Sequence, residues 1–520
     1  MFVAGVAAAV AVAGPGRAQE PLSAIDWLND PLPTVVRRVA PSVAPGLKPM
    51  DPGHIGPEPP VTRSATVPEV SVVALDAVTA NAVGLLPSSV TGLPRSLWQG
   101  SRSEVVNRQI ARMDVAHAPA LQSLLYTLLL AEADPPAGAR TGHSVLEARL
   151  RKLIDLGAVE PAEALLDRAG DVARDLFPIW FDLALLTGDE DKACDGVMAK
   201  PHLAPDMASR IFCTARKGDW AAAAVSYDTA RALGMLSAAE TRMLALFIDP
   251  ELAEGAPDLP PPAKITPLLY RLYEAAGTPL PTSSLPLAYA MGDLRGTSGW
   301  KAELDAAERL ARTGALSENR LIELYTTRKP AASGGVWDRV AAVQRFDAAL
   351  SAQDAAKMSQ TLGPAWDAMK RAELAMGFVR LYAEALAKVE LAGPAAGDAF
   401  EIAMLSDQAE TEAAKVTATT GQRAFLAALA RGVPGEVPVD DALGRAIQAG
   451  FAANVPDRVA TLARQDRLGE AILWAMVRYR HGMSGDRLGL QLSLAAFRAL
   501  GLEETARRAA IQMILLGQAG

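Results

Sequence analysis

Few residues in this chain have the type and spacing needed for chemistry. It contains five histidines and two cysteines, and the histidines are His54, His117, His143, His202 and His481. None of the histidines form the His-Glu-x-x-His spacing that places two zinc ligands on one helix face. The serine-hydrolase turn Gly-x-Ser-x-Gly, the Walker loop and the dinucleotide-binding Gly-x-Gly-x-x-Gly are also missing. We therefore expect no catalytic residue, no metal and no cofactor, and we predict that the protein is not an enzyme.

The two cysteines, Cys194 and Cys213, are 19 residues apart, one in each of two predicted neighbouring helices. In an oxidising compartment this spacing permits a disulfide, and closing a loop of this size stabilises a fold by roughly 3 kcal/mol. The alternative is a pair of buried thiols that pack as small apolar side chains. We predict the disulfide. A dithiol oxidoreductase is not expected, because the sequence has no Cys-x-x-Cys.

One loop is a candidate binding segment, and it contains Ser333, Gly334, Gly335, Trp337 and Arg339. It leads into a predicted helix, whose N-terminus could bind an anion through Ser333 and the two glycines. We regard the loop as a candidate partner-binding site. The alternative is a plain connection between helices that Trp337 anchors to the core.

Aromatic residues in the second half of the chain allow two interpretations. They could line a concave groove, or they could fill the core, as aromatic residues on helices usually do. The residues are Trp366, Phe378, Tyr382, Trp474, Tyr479 and Phe497.

The composition limits the class of protein that can position these residues. Of 520 residues, 50% are hydrophobic, 5% are aromatic and 21% are charged, and the net charge is −8. This apolar content excludes a wholly disordered chain. A nucleic-acid partner is not expected either, because there is no excess of basic residues to neutralise phosphates.

The first residues have the pattern of a secretory signal peptide. An apolar run from Phe2 to Ala13 is followed by Gly14-Pro15 and by small residues at Gly16 and Ala18. This pattern predicts a signal peptide over 1–18, cleaved between Ala18 and Gln19, and a periplasmic protein, with release from the cell as the alternative. A buried apolar helix is the other interpretation of the run. No Lys or Arg precedes Phe2, so translation could start upstream of Met1. We expect no transmembrane segment in the mature chain, because a span needs about 20 apolar residues.

Proline content divides the remaining chain. Residues 19–100 are predicted to be extended or disordered, since 31–68 alone contain ten prolines. Short apolar motifs at 23–28 and 83–94 could dock on the folded body or on a partner, or could remain loose clusters. Helical periodicity then predicts two helical-repeat regions, 101–249 and 287–516, a proline-rich break at 250–286 and a short tail at 517–520.

The helices show a recurring turn. A Gly or Asp in the turn is followed five residues later by an Ala, at intervals of 31, 30 and 35 residues. Turn residues of this kind suit the left-handed conformation that ends a helix, and the Ala permits close helix packing. We predict an all-α fold built as a solenoid of tetratricopeptide-like helical hairpins, with an irregular bundle as the alternative. The five pairs are Gly157–Ala162, Gly188–Ala193, Gly218–Ala223, Asp466–Ala471 and Gly501–Ala506.

The signal peptide, the segments Ser-Ala-Ile-Asp-Trp-Leu (23–28) and Val-Gly-Leu-Leu-Pro-Ser-Ser-Val-Thr-Gly-Leu-Pro (83–94), and the Ala-rich helical body resemble a family of uncharacterised secreted alphaproteobacterial proteins. Some members are labelled "antifreeze glycopeptide-related". The resemblance covers the whole chain and implies no known activity. An ice-binding function is not carried over, because Thr417-Ala418-Thr419-Thr420 is a lone cluster rather than a regularly spaced face.

The helical body is also similar to the superhelical region of periplasmic lytic transglycosylases, whose catalytic domain with its Glu-Ser motif has no counterpart here. From these patterns we predict a periplasmic scaffold that binds envelope proteins or peptide segments. The alternative is an enzyme, or an accessory to one, that acts on peptidoglycan.

Overall fold

A computed structural model describes residues 79–139, 144–170, 175–253, 262 and 264–517. The predicted signal peptide, its cleavage site at Ala18–Gln19 and the motif at 23–28 lie outside the described residues. So do the first sixty residues of the predicted proline-rich segment and the end of the tail. All described residues belong to one compact unit by their contacts.

The described residues form an all-α structure, as predicted. They contain no strand and only two isolated backbone bridges, Leu86–Ala131 and Arg102–Ala137. The helices before residue 250 are α1 (Ser88–Thr91), α2 (Ser103–Arg112), α3 (Pro119–Leu130), α4 (Ser144–Asp155), α5 (Val159–Ala169), α6 (Phe177–Thr187), α7 (Glu190–Ala199), α8 (Met207–Arg216), α9 (Trp220–Ala232) and α10 (Ala238–Ile248).

In the described part of the chain, fifteen later helices follow in chain order. They are α11 (Pro267–Ala275), α12 (Ala290–Asp293), α13 (Trp300–Arg312), α14 (Glu318–Thr326), α15 (Val336–Ser351), α16 (Ala355–Arg371), α17 (Ala375–Leu386), α18 (Pro394–Leu405), α19 (Ala409–Ala413), α20 (Gly421–Ala430), α21 (Ala442–Ala452), α22 (Asp457–Arg464), α23 (Leu468–Met483), α24 (Arg487–Ala499) and α25 (Glu503–Leu515). Among the residues that are placed, no helix combines the length and apolar character needed to cross a bilayer.

The recurring turn has the local geometry that the sequence predicts. The turn residues at 157, 188, 218, 466 and 501 all have a positive φ. The alanine five residues later is completely buried in each case. Asp466 adopts the left-handed conformation with φ 55°, which short polar side chains tolerate better than most. Each turn therefore reverses the chain and places a methyl group where two helices approach closely.

Helix packing is not limited to sequence neighbours. Pairs such as α8–α9, α15–α16 and α23–α24 contact along their lengths, but α24 also packs on α21, and α25 packs on α3 and α20. The Gln512 Oε1 atom accepts a hydrogen bond of 2.8 Å from the Ala120 backbone N–H in the first turn of α3. The last helix thus contacts one of the first.

Residues 79–98 pack against the helical body through buried apolar and polar groups. Leu97 and Trp98 are buried, and Trp98 lies so close to Gly469 that a Cβ at position 469 would be 2.1 Å from the indole ring. Near the start of the segment, Asn81 Oδ1 accepts hydrogen bonds from the Val145 and Leu146 N–H groups of α4, at 3.0 and 2.9 Å. Within the motif at 83–94, Val83 and Leu93 are buried, and the Leu85 and Leu86 N–H groups donate to the Leu130 carbonyl. This motif therefore docks on the chain's own folded body.

A buried arginine attaches the same segment to α3. Arg149 donates to the carbonyl oxygens of Leu129, Val83 and Ala131, at 2.5, 2.6 and 3.2 Å. Burial lowers the pKa of its guanidinium to about 10, still well above neutrality. Arg149 is therefore charged at neutral pH and is held by carbonyl dipoles.

The proline-rich break at 250–286 contains a packed helix. Thr266 caps the N-terminus of α11, where its hydroxyl accepts a hydrogen bond from Leu269 N–H. The helix buries Leu268, Leu272 and Tyr273 against a cluster that extends from α6 to α11 and surrounds Cys194 and Cys213. This cluster is separate from the large core that contains most other buried side chains.

Candidate functional site

The predicted binding loop divides into an exposed part and a buried part. Ser333, Gly334 and Gly335 are exposed. Trp337 is partly buried, and its ring centroid lies 5.2 Å from that of Trp300. Helix α15 begins directly after Gly335, and no side chain caps it.

Arg339, at the end of this loop segment, points into a buried polar cluster. Its Nε and Nη2 atoms lie 2.7 and 2.5 Å from the two carboxylate oxygens of Glu308. The Tyr325 hydroxyl donates to Glu308 Oε1 at 2.6 Å, and burial, reinforced by Glu308, raises the pKa of that hydroxyl well above its usual value. Arg339 is therefore engaged by a buried carboxylate, in an arrangement that anchors α15 to α13 and α14.

The aromatic residues considered as a groove lie mostly in the core. Trp366, Phe378, Tyr382, Tyr479 and Phe497 are buried, and Trp474 is partly buried. Phe346, Phe378 and Tyr382 form mutual ring contacts of 4.7 to 5.4 Å. These side chains pack the helices together and do not line an open surface.

The cysteine pair lies at disulfide distance, as predicted. The Cys194 and Cys213 Sγ atoms are 2.05 Å apart. Cys194 belongs to α7 and Cys213 to α8, and both are buried. The bond therefore fixes two helices whose other side chains line a pocket.

That pocket contains three arginines and two glutamates, and we call it the arginine pocket. Its volume is about 290 Å³. Its charged lining residues come from four separate stretches of the chain. The complete lining is Glu190, Phe212, Arg216, Phe247, Arg271, Glu274, Ala275, Arg295 and Thr297.

The two carboxylates of the pocket are shared among the guanidinium groups. Arg295 Nη2 lies 2.7 and 2.8 Å from the two oxygens of Glu274, and Arg271 contacts both Glu274 and Glu190. Arg216 is held more loosely, with Nη2 3.6 Å from Glu190 Oε2 and Nε 2.9 Å from Asp191 Oδ1. Glu190 is the most deeply buried of the five, with 5% of its side chain exposed.

Positive charge exceeds negative charge among the residues that line the arginine pocket. Three guanidinium groups face two carboxylates, and the Arg271 Nε atom is buried without a hydrogen-bond partner among the described residues. Burial lowers the pKa of Arg271, and the neighbouring charge of Arg295 lowers it further, whereas Glu274 raises it. A pocket of this kind can accept an anionic group.

An apolar surface is formed by α9, α10 and their flanking turns, and we call it the α9–α10 surface. Trp220 is 48% exposed, Leu233 69% and Met235 53%, and Val225 and Leu252 are exposed to a similar degree. Tyr227, Leu236, Leu246 and Leu252 line a groove of about 690 Å³ in the same hairpin, with Arg242 among the lining residues. In α9, only Ala223 and Ala230 are buried.

Aromatic contacts connect this surface to the arginine pocket. The ring centroid of Phe247 lies 5.1 Å from that of Phe212 and 5.9 Å from that of Trp220. Phe212 and Phe247 line the pocket, whereas Trp220 is exposed. An apolar path therefore leads from the surface to the guanidinium groups.

A carboxyl group with a perturbed pKa lies in the neighbouring core. Burial, together with the negative charge of Asp206, raises the pKa of Asp182, on α6, to about 7. Elsewhere, within the described ranges, no three His, Cys, Asp or Glu side chains cluster closely enough to hold a metal ion. The described histidines 117, 202 and 481 are exposed.

The sequence did not indicate the arginine pocket. Its charged residues lie at 190, 216, 271, 274 and 295, a span that no local motif covers. The only local signal was the predicted disulfide, which links the helices carrying Glu190 and Arg216.

Comparison with models of known protein families, with curated proteins and with solved structures found no match to this chain.

Proposed function

We propose that the protein is an exported α-solenoid that binds proteins or peptide segments of the cell envelope, with the α9–α10 surface as its contact site. The observation that carries this proposal is the concentration of exposed apolar side chains on one hairpin. Trp220, Leu233 and Met235 are each about half exposed or more. Large apolar side chains grouped on a surface commonly mark an interaction site.

The shape of the hairpin favours a peptide as the occupant. The groove between Tyr227, Leu246 and Leu252 has a volume of about 690 Å³, which is enough for a few apolar side chains. Arg242 at the groove provides a charged group that can orient the bound chain. An apolar segment of a partner protein fits this combination.

The solenoid part of the proposal is supported by the recurring turn. Five turns share a positive φ followed by a fully buried alanine, and repeated hairpins of this type stack into superhelices that present extended binding surfaces. Export is supported by the signal-peptide pattern before Gln19 and by the cysteine pair at disulfide distance.

The proposal can be tested by capture from an envelope extract. The mature protein is compared with Leu233→Asp and with the matched control Leu488→Asp, because Leu488 is 62% exposed on α24, outside the hairpin. We expect partners that are retained by the native protein and by the control but lost from Leu233→Asp. Each partner should also retain the native protein in the reciprocal capture.

Two outcomes would contradict the proposal. Either no partner is retained reproducibly, or the two variants retain the same partners. Incubation with murein sacculi provides a further check, since release of soluble muropeptides would instead identify a peptidoglycan-cleaving enzyme.

A further inference from the structure

We infer that the arginine pocket binds a carboxylate, and specifically the C-terminal carboxylate of a peptide whose last side chain is apolar. This inference rests on the proposed function and identifies the part of the partner that is recognised. Three features of the pocket carry it: its charge, its walls and its connection to the α9–α10 surface.

The charge of the pocket favours an anion. Glu190 and Glu274 compensate two of the three guanidinium groups, and Arg271 Nε remains buried without a partner among the placed residues. Asp191 contacts Arg216 from outside the lining and is 72% exposed, so water screens its charge. Arg216 is the most exposed of the three arginines, with 33% of its side chain accessible, so it is the group that a carboxylate in the pocket can reach.

The donors have the chemistry of a carboxylate site. Guanidinium groups present two parallel N–H bonds that match the two oxygens of a carboxylate. Arg216 is the donor best placed to reorient, because its contact to Glu190 is 3.6 Å and its side chain is one third exposed. It can turn to a ligand at the mouth while Arg271 and Arg295 hold the base of the pocket.

The walls and size select one terminal residue. Phe212, Phe247 and Ala275 provide apolar walls next to the charged groups. A volume of about 290 Å³ is at the lower limit for ligand pockets, so it suits a single apolar residue with its carboxylate. The Phe212–Phe247–Trp220 ring contacts connect the pocket to the α9–α10 surface. The peptide residues that precede the terminal one would lie along these rings.

The disulfide contributes by fixing the two walls. Cys194 is four residues after Glu190 on α7, and Cys213 lies between Phe212 and Arg216 on α8. The bond between them sets the separation of the acidic and basic sides of the pocket. Binding should therefore depend on the oxidised protein.

The inference is tested by titrating the full-length mature protein with a short labelled peptide that ends in Ala-Ala-Leu. The free acid is compared with the same peptide amidated at its C-terminus, by fluorescence anisotropy. We expect the free acid to bind at least about ten-fold more tightly than the amide. Arg216→Gln should lose most of that preference, whereas Arg151→Gln, an exposed arginine of α4 paired with Glu147, should retain it.

Competition with acetate, N-acetyl-leucine and inorganic phosphate distinguishes the source of the anion. N-acetyl-leucine carries the apolar side chain and the carboxylate of such a terminus, so it should displace the peptide. If acetate or phosphate displaces the peptide at equal concentration, the site recognises a free anion and the assignment to a peptide terminus is wrong. Equal binding of acid and amide, or an unchanged preference in folded Arg216→Gln, would also overturn the inference. In those cases the protein can still capture partners through Leu233, so the proposed function is judged by its own test.

Discussion

Replacing Asn81 by alanine should detach the first described segment from the helical body. The Asn81 side chain makes these buried hydrogen bonds to described residues: it accepts from Val145 and Leu146 N–H and donates to the Ala139 carbonyl at 2.8 Å. Losing a side chain that caps a helix N-terminus costs about 0.5–2 kcal/mol. The Ala139 carbonyl, left without a hydrogen-bond donor, adds about 1 kcal/mol. We therefore expect a loss of about 1.5–3 kcal/mol in the free energy of unfolding.

Urea denaturation followed by circular dichroism measures this loss, provided that the dependence on urea is the same in both proteins. Asn107→Ala is the matched control, because the Asn107 Oδ1 atom has no hydrogen-bond partner within the described part of the chain. We expect a change below about 0.5 kcal/mol for the control.

Hydrogen exchange provides a local measurement of the same effect. The Leu85 and Leu86 N–H groups donate to the Leu130 carbonyl at 2.8 and 2.9 Å, and they should exchange faster in Asn81→Ala than in the native protein. If Asn81→Ala and Asn107→Ala have equal stability and equal exchange at these amides, the docking of this segment does not depend on Asn81 as we reason.

Three further predictions concern the interior of the fold. Replacing both Cys194 and Cys213 by serine should lower the free energy of unfolding by roughly 3 kcal/mol, because the disulfide closes a 19-residue loop; a mutant no less stable than the oxidised native protein would refute this. Asp182 has a pKa near 7 in the folded state and near 4 in the unfolded state, so the folded state retains the proton between these values and stability should fall by at most about 4 kcal/mol as the pH rises from 4 to 7. Asp182→Asn cannot titrate and should lack this contribution, and identical pH profiles of the two proteins in thermal unfolding would contradict it. Glu308→Ala should cost about 3–5 kcal/mol, because it leaves the buried Arg339 without its carboxylate; the exposed pair Glu384–Lys388 provides a control, since Glu384→Ala should change stability by less than about 1 kcal/mol.

The sequence predicted the features that depend on neighbouring residues. The turn at Gly188 is an example, because a φ of 97° strongly favours glycine, and the alanine that follows at 193 has to fit a close helix contact. The pairing of Cys194 with Cys213 belongs to the same class, since the two residues lie on consecutive helices, α7 and α8. Local steric rules suffice for such features, whatever the rest of the chain does.

Features that depend on distant residues were missed or interpreted differently. Arg271 lies within the proline-rich break at 250–286, where no site was expected, and Arg295 follows 24 residues later. The packing of α11 against α6 and α10 brings Arg271 to Glu190. Arg295 follows α12, which also packs on α6. Composition and periodicity do not indicate which distant residues will be in contact.

Arg339 shows how helix orientation decides the role of a residue. In the sequence it follows a Ser-Gly-Gly stretch and belongs to the candidate partner-binding loop. Helix α15 begins at Val336, and its orientation directs Arg339 toward Glu308 while Asp338 stays exposed. Asp338 and Arg339 are adjacent in the sequence, yet one faces solvent and the other contacts Glu308. The sequence alone did not show which of the two faces the core.

The contact between α3 and α25 also has a consequence for synthesis. Ala120 and Gln512 are separated by 392 residues, so a ribosome that adds 5–20 residues per second needs roughly 20 to 80 seconds to supply the partner of α3. During that time, side chains of α3 such as Leu121 and Leu125 lack one of their final neighbours. Truncation before α25 should for the same reason disturb the earliest helices, and not only the end of the chain.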